Sequence, residues 1–136
     1  MSALHKRILS LFIILAGTIF MTACSRLAPI NNIQNQPVPN GLTQSEVKDS
    51  ILAAGKYREF SMSPVSDGVI DGTYTSGKHM IKVEIDYSIS SYSIHYKSSH
   101  NMLAEGDMIH YNYNRWVNNL NADIQRELSK TAFKKS

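Results

Sequence analysis

The sequence predicts an α+β domain in which a four-stranded antiparallel sheet is covered on one face by an N-terminal and a C-terminal helix, a two-layer sandwich. Three observations predict it. Ile81 to Tyr87 and Tyr92 to Lys97 alternate apolar and polar residues strictly, which demands strands with one buried and one wet face. Tyr113, Trp116, Val117, Leu120, Ile124 and Leu128 recur at helical spacing near the C-terminus. Val47, Ile51 and Ala54 do so upstream, with Leu52 beside them. One-sided strands need a cover, and two amphipathic helices supply it.

Taken in order, residues 24–41 are rich in Asn, Gln and Pro, lack apolar periodicity and carry one charge, Arg26. This composition predicts a flexible tether with a root-mean-square reach of about 20–25 Å, leading to a domain over 42–130. Thr43-Gln44-Ser45-Glu46 matches a capping box, so a helix is expected from about 44 to 55, closed by Gly55 as C-cap. A strand over Tyr57 to Met62, with Phe60 and Met62 on one face, is broken by Ser63-Pro64. Asp67-Gly68 marks a turn, Val69 to Thr75 a strand with Ile70, Gly72 and Tyr74 on one side, and Ser76-Gly77 the next turn.

The clearest pair follows. Ser88 to Ser91 joins the two alternating strands, placing Tyr87 opposite Tyr92, Glu84 facing His95 and Asp86 facing Ser93 on the outer face. A one-residue slip would reverse every side chain. Ser98 to Gly106 reads as irregular. The last helix is expected from about Asn112 to Lys130, with Trp116 between sheet and helix and Arg115, Asn119, Asp123, Arg126 and Lys130 largely on the other side. Residues 131–136 form a basic tail that should fray.

A content of 43% hydrophobic residues in 136 supports a folded state. Lys6 and Arg7 account for two of the three net positive charges, so the rest of the chain is close to neutral. No basic stripe is interleaved with aromatics, and nucleic acid is excluded as a partner.

Residues 1–23 read as an export signal. His5, Lys6 and Arg7 precede a run from Ile8 to Ala23, broken only by Ser10, Gly17, Thr18 and Thr22. As a helix this run would cover about 24 Å, short of the roughly 30 Å hydrocarbon core, which favours cleavage over a membrane span. Met21-Thr22-Ala23-Cys24 resembles the lipobox of bacterial lipoproteins, with Met21 where that pattern usually has Leu. The resemblance implies a diacylglyceryl thioether on Cys24, cleavage before it and acylation of the new amine. The partner would then be a lipid bilayer, held by about 0.8 kcal/mol per buried CH₂. Ser25, rather than Asp, implies the periplasmic face of the outer membrane over the inner membrane. As Cys24 is the single cysteine, lipidation leaves no thiol to form a disulfide.

Of the histidines beyond the signal (His79, His95, His100 and His110), none shows the i, i+2 or i, i+4 spacing of converging metal ligands. No metal and no cofactor are expected. Serine is dense between Ser88 and Ser99, but a G-x-S-x-G turn is absent, and no catalytic residue is assigned. Glu84 and Asp86 share a strand face with Lys82, His95 and Lys97 nearby, the pattern of a solvated mixed-charge surface. Tyrosine is the one abundant recognition-type residue. The candidate binding set is Tyr92, Tyr96 and Tyr111, with His95 and Glu84.

Several motifs occur together. They are His79 with Val83-Glu84-Ile85-Asp86-Tyr87, then Tyr92-Ser93-Ile94-His95-Tyr96, Ser99-His100-Asn101-Met102, and the run from Ile109 through Trp116 to Leu120. In these the chain resembles a group of small, uncharacterised Gram-negative lipoproteins over roughly residues 42–130. That resemblance implies a class and no mechanism. The expectation is a membrane-anchored, non-enzymatic binding or accessory domain with an envelope protein as partner. The alternative is a metal-binding or enzymatic factor built on His79, His95 or His110. A third reading is a structural component whose basic C-terminus meets acidic polymers or headgroups.

Overall fold

The computed structural model describes residues 26–136. The export signal and Cys24 lie outside the described residues. The fold is α+β, with two helices, a five-stranded antiparallel sheet and a separate two-stranded ribbon. In chain order the elements are β1 (Leu27–Pro29), β2 (Ile33–Pro37), α1 (Gln44–Tyr57), β3 (Ser61–Ser66), β4 (Val69–Ser76), β5 (His79–Tyr87), β6 (Ser91–His100), β7 (Met108–His110) and α2 (Asn112–Lys135). The large sheet runs β2-β6-β5-β4-β3, and β1 pairs with β7.

The central hairpin has the register that the alternation predicts: Tyr87 opposite Tyr92, Glu84 opposite His95, Asp86 opposite Ser93. Ile81, Val83, Ile85, Ile94 and Ile70 are buried on one face. They share a single core with Val47, Ile51 and Ala54 of α1 and Val117, Leu120, Ile124 and Leu128 of α2. The helices pack antiparallel, shown by contacts from Arg58 to Asp123, Ser50 to Thr131 and Glu46 to Lys135.

Five sequence expectations are corrected. The segment expected to be a tether is built into the fold from Arg26 onward. Hydrogen bonds to β6 and α2 tie the segment down. Asn32 Oδ1 accepts from Tyr96 N at 3.0 Å, and Asn114 spans to Asn31 N and Pro29 O at 3.0 and 2.9 Å. Ile33, Val38 and Leu42 then bury their side chains, and β2 becomes a fifth strand, bulged between Ile33 and Gln36.

Second, Gly55 does not close α1. The helix runs on to Tyr57 and ends in a Schellman arrangement, with Phe60 N donating to Gly55 O at 2.8 Å and Glu59 N to Lys56 O at 3.1 Å. The left-handed position falls on Glu59, at φ +64. At the other end the Thr43–Glu46 capping box is present.

Third, Pro64 does not break its strand. It lies inside β3, where its missing N–H is tolerated because β3 is an edge.

Fourth, the C-terminal residues do not fray. The helix continues to Lys135, whose ammonium donates to Glu46 Oε2 at 2.9 Å and Gly41 O at 2.8 Å. The stretch expected to be irregular from Ser98 is likewise strand as far as His100.

Candidate functional site

α2 is ten residues longer than α1, 24 against 14, and its extra length of about 15 Å extends past the C-terminus of α1. There the sheet is covered by α2 alone. The result is a cleft of about 210 Å³ lined by Tyr57, Arg58, Glu59, Phe60, Tyr74, Trp116 and Asn119. Its floor is an aromatic run in which the Phe60 and Tyr74 rings lie 5.2 Å apart and the Tyr74 and Trp116 rings 5.0 Å apart. Trp116 is thus half-buried, packed at the margin of the core.

The rim is charged. Asp123, which helical spacing alone placed on the polar side of α2, is only 2% exposed. Its carboxylate accepts from Arg58 Nε and is ion-paired with Arg126, whose Nη1 lies 2.9 Å from Oδ1. A buried carboxylate of this kind needs such partners to offset its lost hydration. The Asp123 hydrogen bond in turn raises Arg58 above its ordinary pKa. Both guanidinium groups lie over the Tyr57 ring, Arg126 at 4.6 Å and Arg58 at 5.7 Å from its centroid, within cation–π range. Tyr57 is nonetheless 65% exposed.

Glu59 stands on the same rim in a left-handed backbone conformation that a glycine would adopt without strain. The lining holds one carboxylate, no histidine and no thiol. That chemistry suits holding a flat or apolar group flanked by charge.

The five residues of the predicted binding set do not come together. Tyr92 is 1% exposed, with its hydroxyl donating to Asn121 Oδ1 and accepting from Gln125 Nε2 at 2.9 Å. Burial pushes that phenol up to about 12. Tyr92 therefore ties β6 to α2 and offers no platform. Tyr96 is half-buried, edge-on to Tyr113 at 5.4 Å, with its hydroxyl 2.9 Å from Ser99 Oγ.

Glu84 and His95 lie on the opposite, outer face of the sheet. There His95 Nε2 turns to Asp86 at 3.3 Å and Glu84 meets Lys97 at 3.5 Å. Asp71, also on this face, accepts from Lys97 Nζ at 2.9 Å and has Lys82 3.6 Å away. Lys97 is the extra residue of a β6 bulge opposite Lys82/Val83, which gives it room to reach Asp71. Tyr111 alone is exposed, stacked on His110 at the β7–α2 junction.

His79 and His110 lie 6.4 Å apart, ring to ring. His110 Nδ1 accepts from Asn112 N at 3.2 Å, and burial with nearby His79, Arg26 and Arg115 lowers its pKa. That lone pair is spent on the start of α2, leaving Nε2 as a donor. Among the described residues, no group of three His, Cys, Asp or Glu is placed to hold a metal ion.

Sequence reasoning missed Tyr57, Arg58 and Glu59 because Gly55 looked like a helix end. It also missed Asp123, which is buried where the end of α1 sets Arg58 against it. No family model matches the chain, and a comparison with curated proteins finds no match.

Proposed function

We propose that this chain is a lipid-anchored envelope lipoprotein, held at the periplasmic face of the outer membrane through Cys24. Its domain binds a protein partner without catalysis. The observation that carries this reading is the Tyr57–Tyr74–Trp116 cleft with its paired arginines. Tyr, Trp and Arg dominate the energetics of protein interfaces. The Asp123 carboxylate pre-orders both guanidinium groups, so less side-chain entropy is lost on binding. The strained Glu59 supports the same reading, since a side chain kept where glycine would fit better calls for a use outside the fold. The fitting partner is an envelope protein presenting an aromatic or apolar side chain beside charged groups. Anchoring is supported by the sequence through Cys24, and no helix among the described residues is long and apolar enough to cross a membrane.

The test is a photoreactive residue at Asn119, crosslinked in living cells of the native host. One dominant envelope adduct is expected, lost in Trp116→Ala and kept when Ile89 at the far hairpin is replaced. An adduct indifferent to Trp116→Ala would sink the cleft as recognition surface. An intact N-terminus with an unmodified Cys24, seen by mass analysis, would sink the anchor.

A further inference from the structure

We propose that the end of the domain formed by Arg26, Arg115, Lys78, Tyr111 and Leu103 lies flat on an anionic phospholipid surface. The anchor would then dock the domain in one orientation, not suspend it. This rests on the lipid-anchor reading of Cys24. Arg26, the first described residue, follows Cys24 by two positions, so their Cα atoms stand at most roughly 7 Å apart. That is a fraction of the reach a free tether would allow, and comparable to the depth of one headgroup layer. Whatever surrounds Arg26 must therefore meet the membrane surface.

What surrounds Arg26 is basic and amphipathic. Its carbonyl accepts from Tyr111 N at 3.0 Å, and β1 places Leu27 opposite His110. Arg115 N in turn donates to Tyr111 O at 3.5 Å, so the two arginines are joined through Tyr111 at this end of the ribbon. His79, next to Lys78 in the β4–β5 turn, joins this end through its Nδ1 contact with Asn101 O at 2.6 Å. The acidic residues of the region, Glu105 and Asp107, stand at the other end of the ribbon, where Asp107 O accepts from Ile30 N.

Two large exposed side chains stand at this end: Tyr111, and Leu103, whose neighbour Met102 accepts from His110 N at 2.8 Å. Tyr111 is 49% exposed and Leu103 is 56% exposed. Leu103 has φ +56, a left-handed conformation that costs a leucine strain and leaves its side chain outside the core. A tyrosine and a leucine framed by Lys and Arg form the side-chain set that settles into a headgroup layer.

The test uses full-length acylated protein reconstituted into vesicles. Acylation blocks Cys24, so a cysteine introduced by Leu103→Cys is the one free thiol and takes a fluorophore selectively. Ile89→Cys serves as control. It lies beyond the far end of β5, about 27 Å from His79 along a strand of nine residues. In vesicles containing phosphatidylglycerol, spin-labelled lipids are expected to quench the Leu103 label and spare the Ile89 label.

Combining Arg26→Ala with Arg115→Ala should lower the docked-to-free ratio about 30-fold, and replacing phosphatidylglycerol by phosphatidylcholine should lower it further. Equal quenching at both positions, or quenching at Leu103 indifferent to lipid charge, would overturn the docking while leaving the anchor intact. If mass analysis shows no acyl group, the anchor reading fails. Salt-sensitive binding of the same protein to phosphatidylglycerol vesicles then decides the surface by itself, and its absence overturns the proposal.

Discussion

Gly55→Ala is expected to destabilise the domain although it raises helix propensity, and to stabilise it once Met62 is shortened. A Cβ on Gly55 would lie 2.3 Å from Met62 Cγ, 2.5 Å from Sδ and 2.8 Å from Cε. No small adjustment clears three atoms at once, so Met62 must leave its slot. The far wall of that slot is Gly72, where a Cβ would meet the same sulfur at 3.0 Å and Val83 Cγ2 at 3.3 Å. Replacing glycine by alanine in a helix favours folding by about 0.5–1 kcal/mol near a terminus. Overfilling a packed site costs about 1–3 kcal/mol. The net effect of Gly55→Ala should be a loss of about 0.5–2 kcal/mol. In a Met62→Ala background the obstruction is gone, and the same substitution should gain about 0.5–1 kcal/mol. Urea denaturation of the four proteins, followed through the fluorescence of Trp116, measures the cycle. Additivity within about 0.5 kcal/mol, or a stabilised single variant, would refute the view that Gly55 is there for close approach.

Deleting residues 131–136 should lower the urea midpoint. The Ser50–Thr131 hydrogen bond at 2.9 Å accounts for about 1 kcal/mol, and the Lys135–Glu46 pair adds a part that salt screens; an unchanged midpoint would restore the frayed tail. Lys97, followed by Lys82, holds the Asp71 carboxylate below the usual range against the opposing effect of desolvation. A depressed folded pKa contributes stability above the ordinary value of about 3.9 and loses it as pH falls through the folded one. Stability should thus fall below about pH 4, less steeply in Asp71→Asn, while Glu46, shifted the same way, keeps part of the slope; identical acid limbs would count against the pair. Glu59→Gly should raise stability by about 0.5–1 kcal/mol by relieving the left-handed strain at the end of α1. The same change should weaken the crosslink at Asn119, and a less stable Glu59→Gly protein would contradict the Schellman assignment.

The candidate site was barely legible in the sequence, for reasons that particular residues show. Tyr92 carried the right chemistry for recognition, but strict alternation already put it inward, and Asn121 and Gln125 use up its hydroxyl. Asp123 sits at a helix position that spacing calls polar, yet two arginines from different elements make its burial affordable. Asn31, Asn32 and Asn35 looked like linker because a composition reading cannot see which backbone groups will lack partners. In the fold Asn35 N itself donates to Ser93 Oγ at 3.0 Å.

By itself, the sequence determined the α+β class, the β5–β6 register and the buried stripe of α2. Each follows from a local period that sets which side chains share a face. Tertiary structure alone decided that the tether would become a fifth strand, that α1 would stop short of α2 and leave an aromatic cleft, and that Arg26 would join Arg115 and Tyr111 at one end. Those outcomes depend on contacts between residues tens of positions apart. Periodicity carries no information about such contacts, since it reports the direction of a side chain and not what stands in front of it.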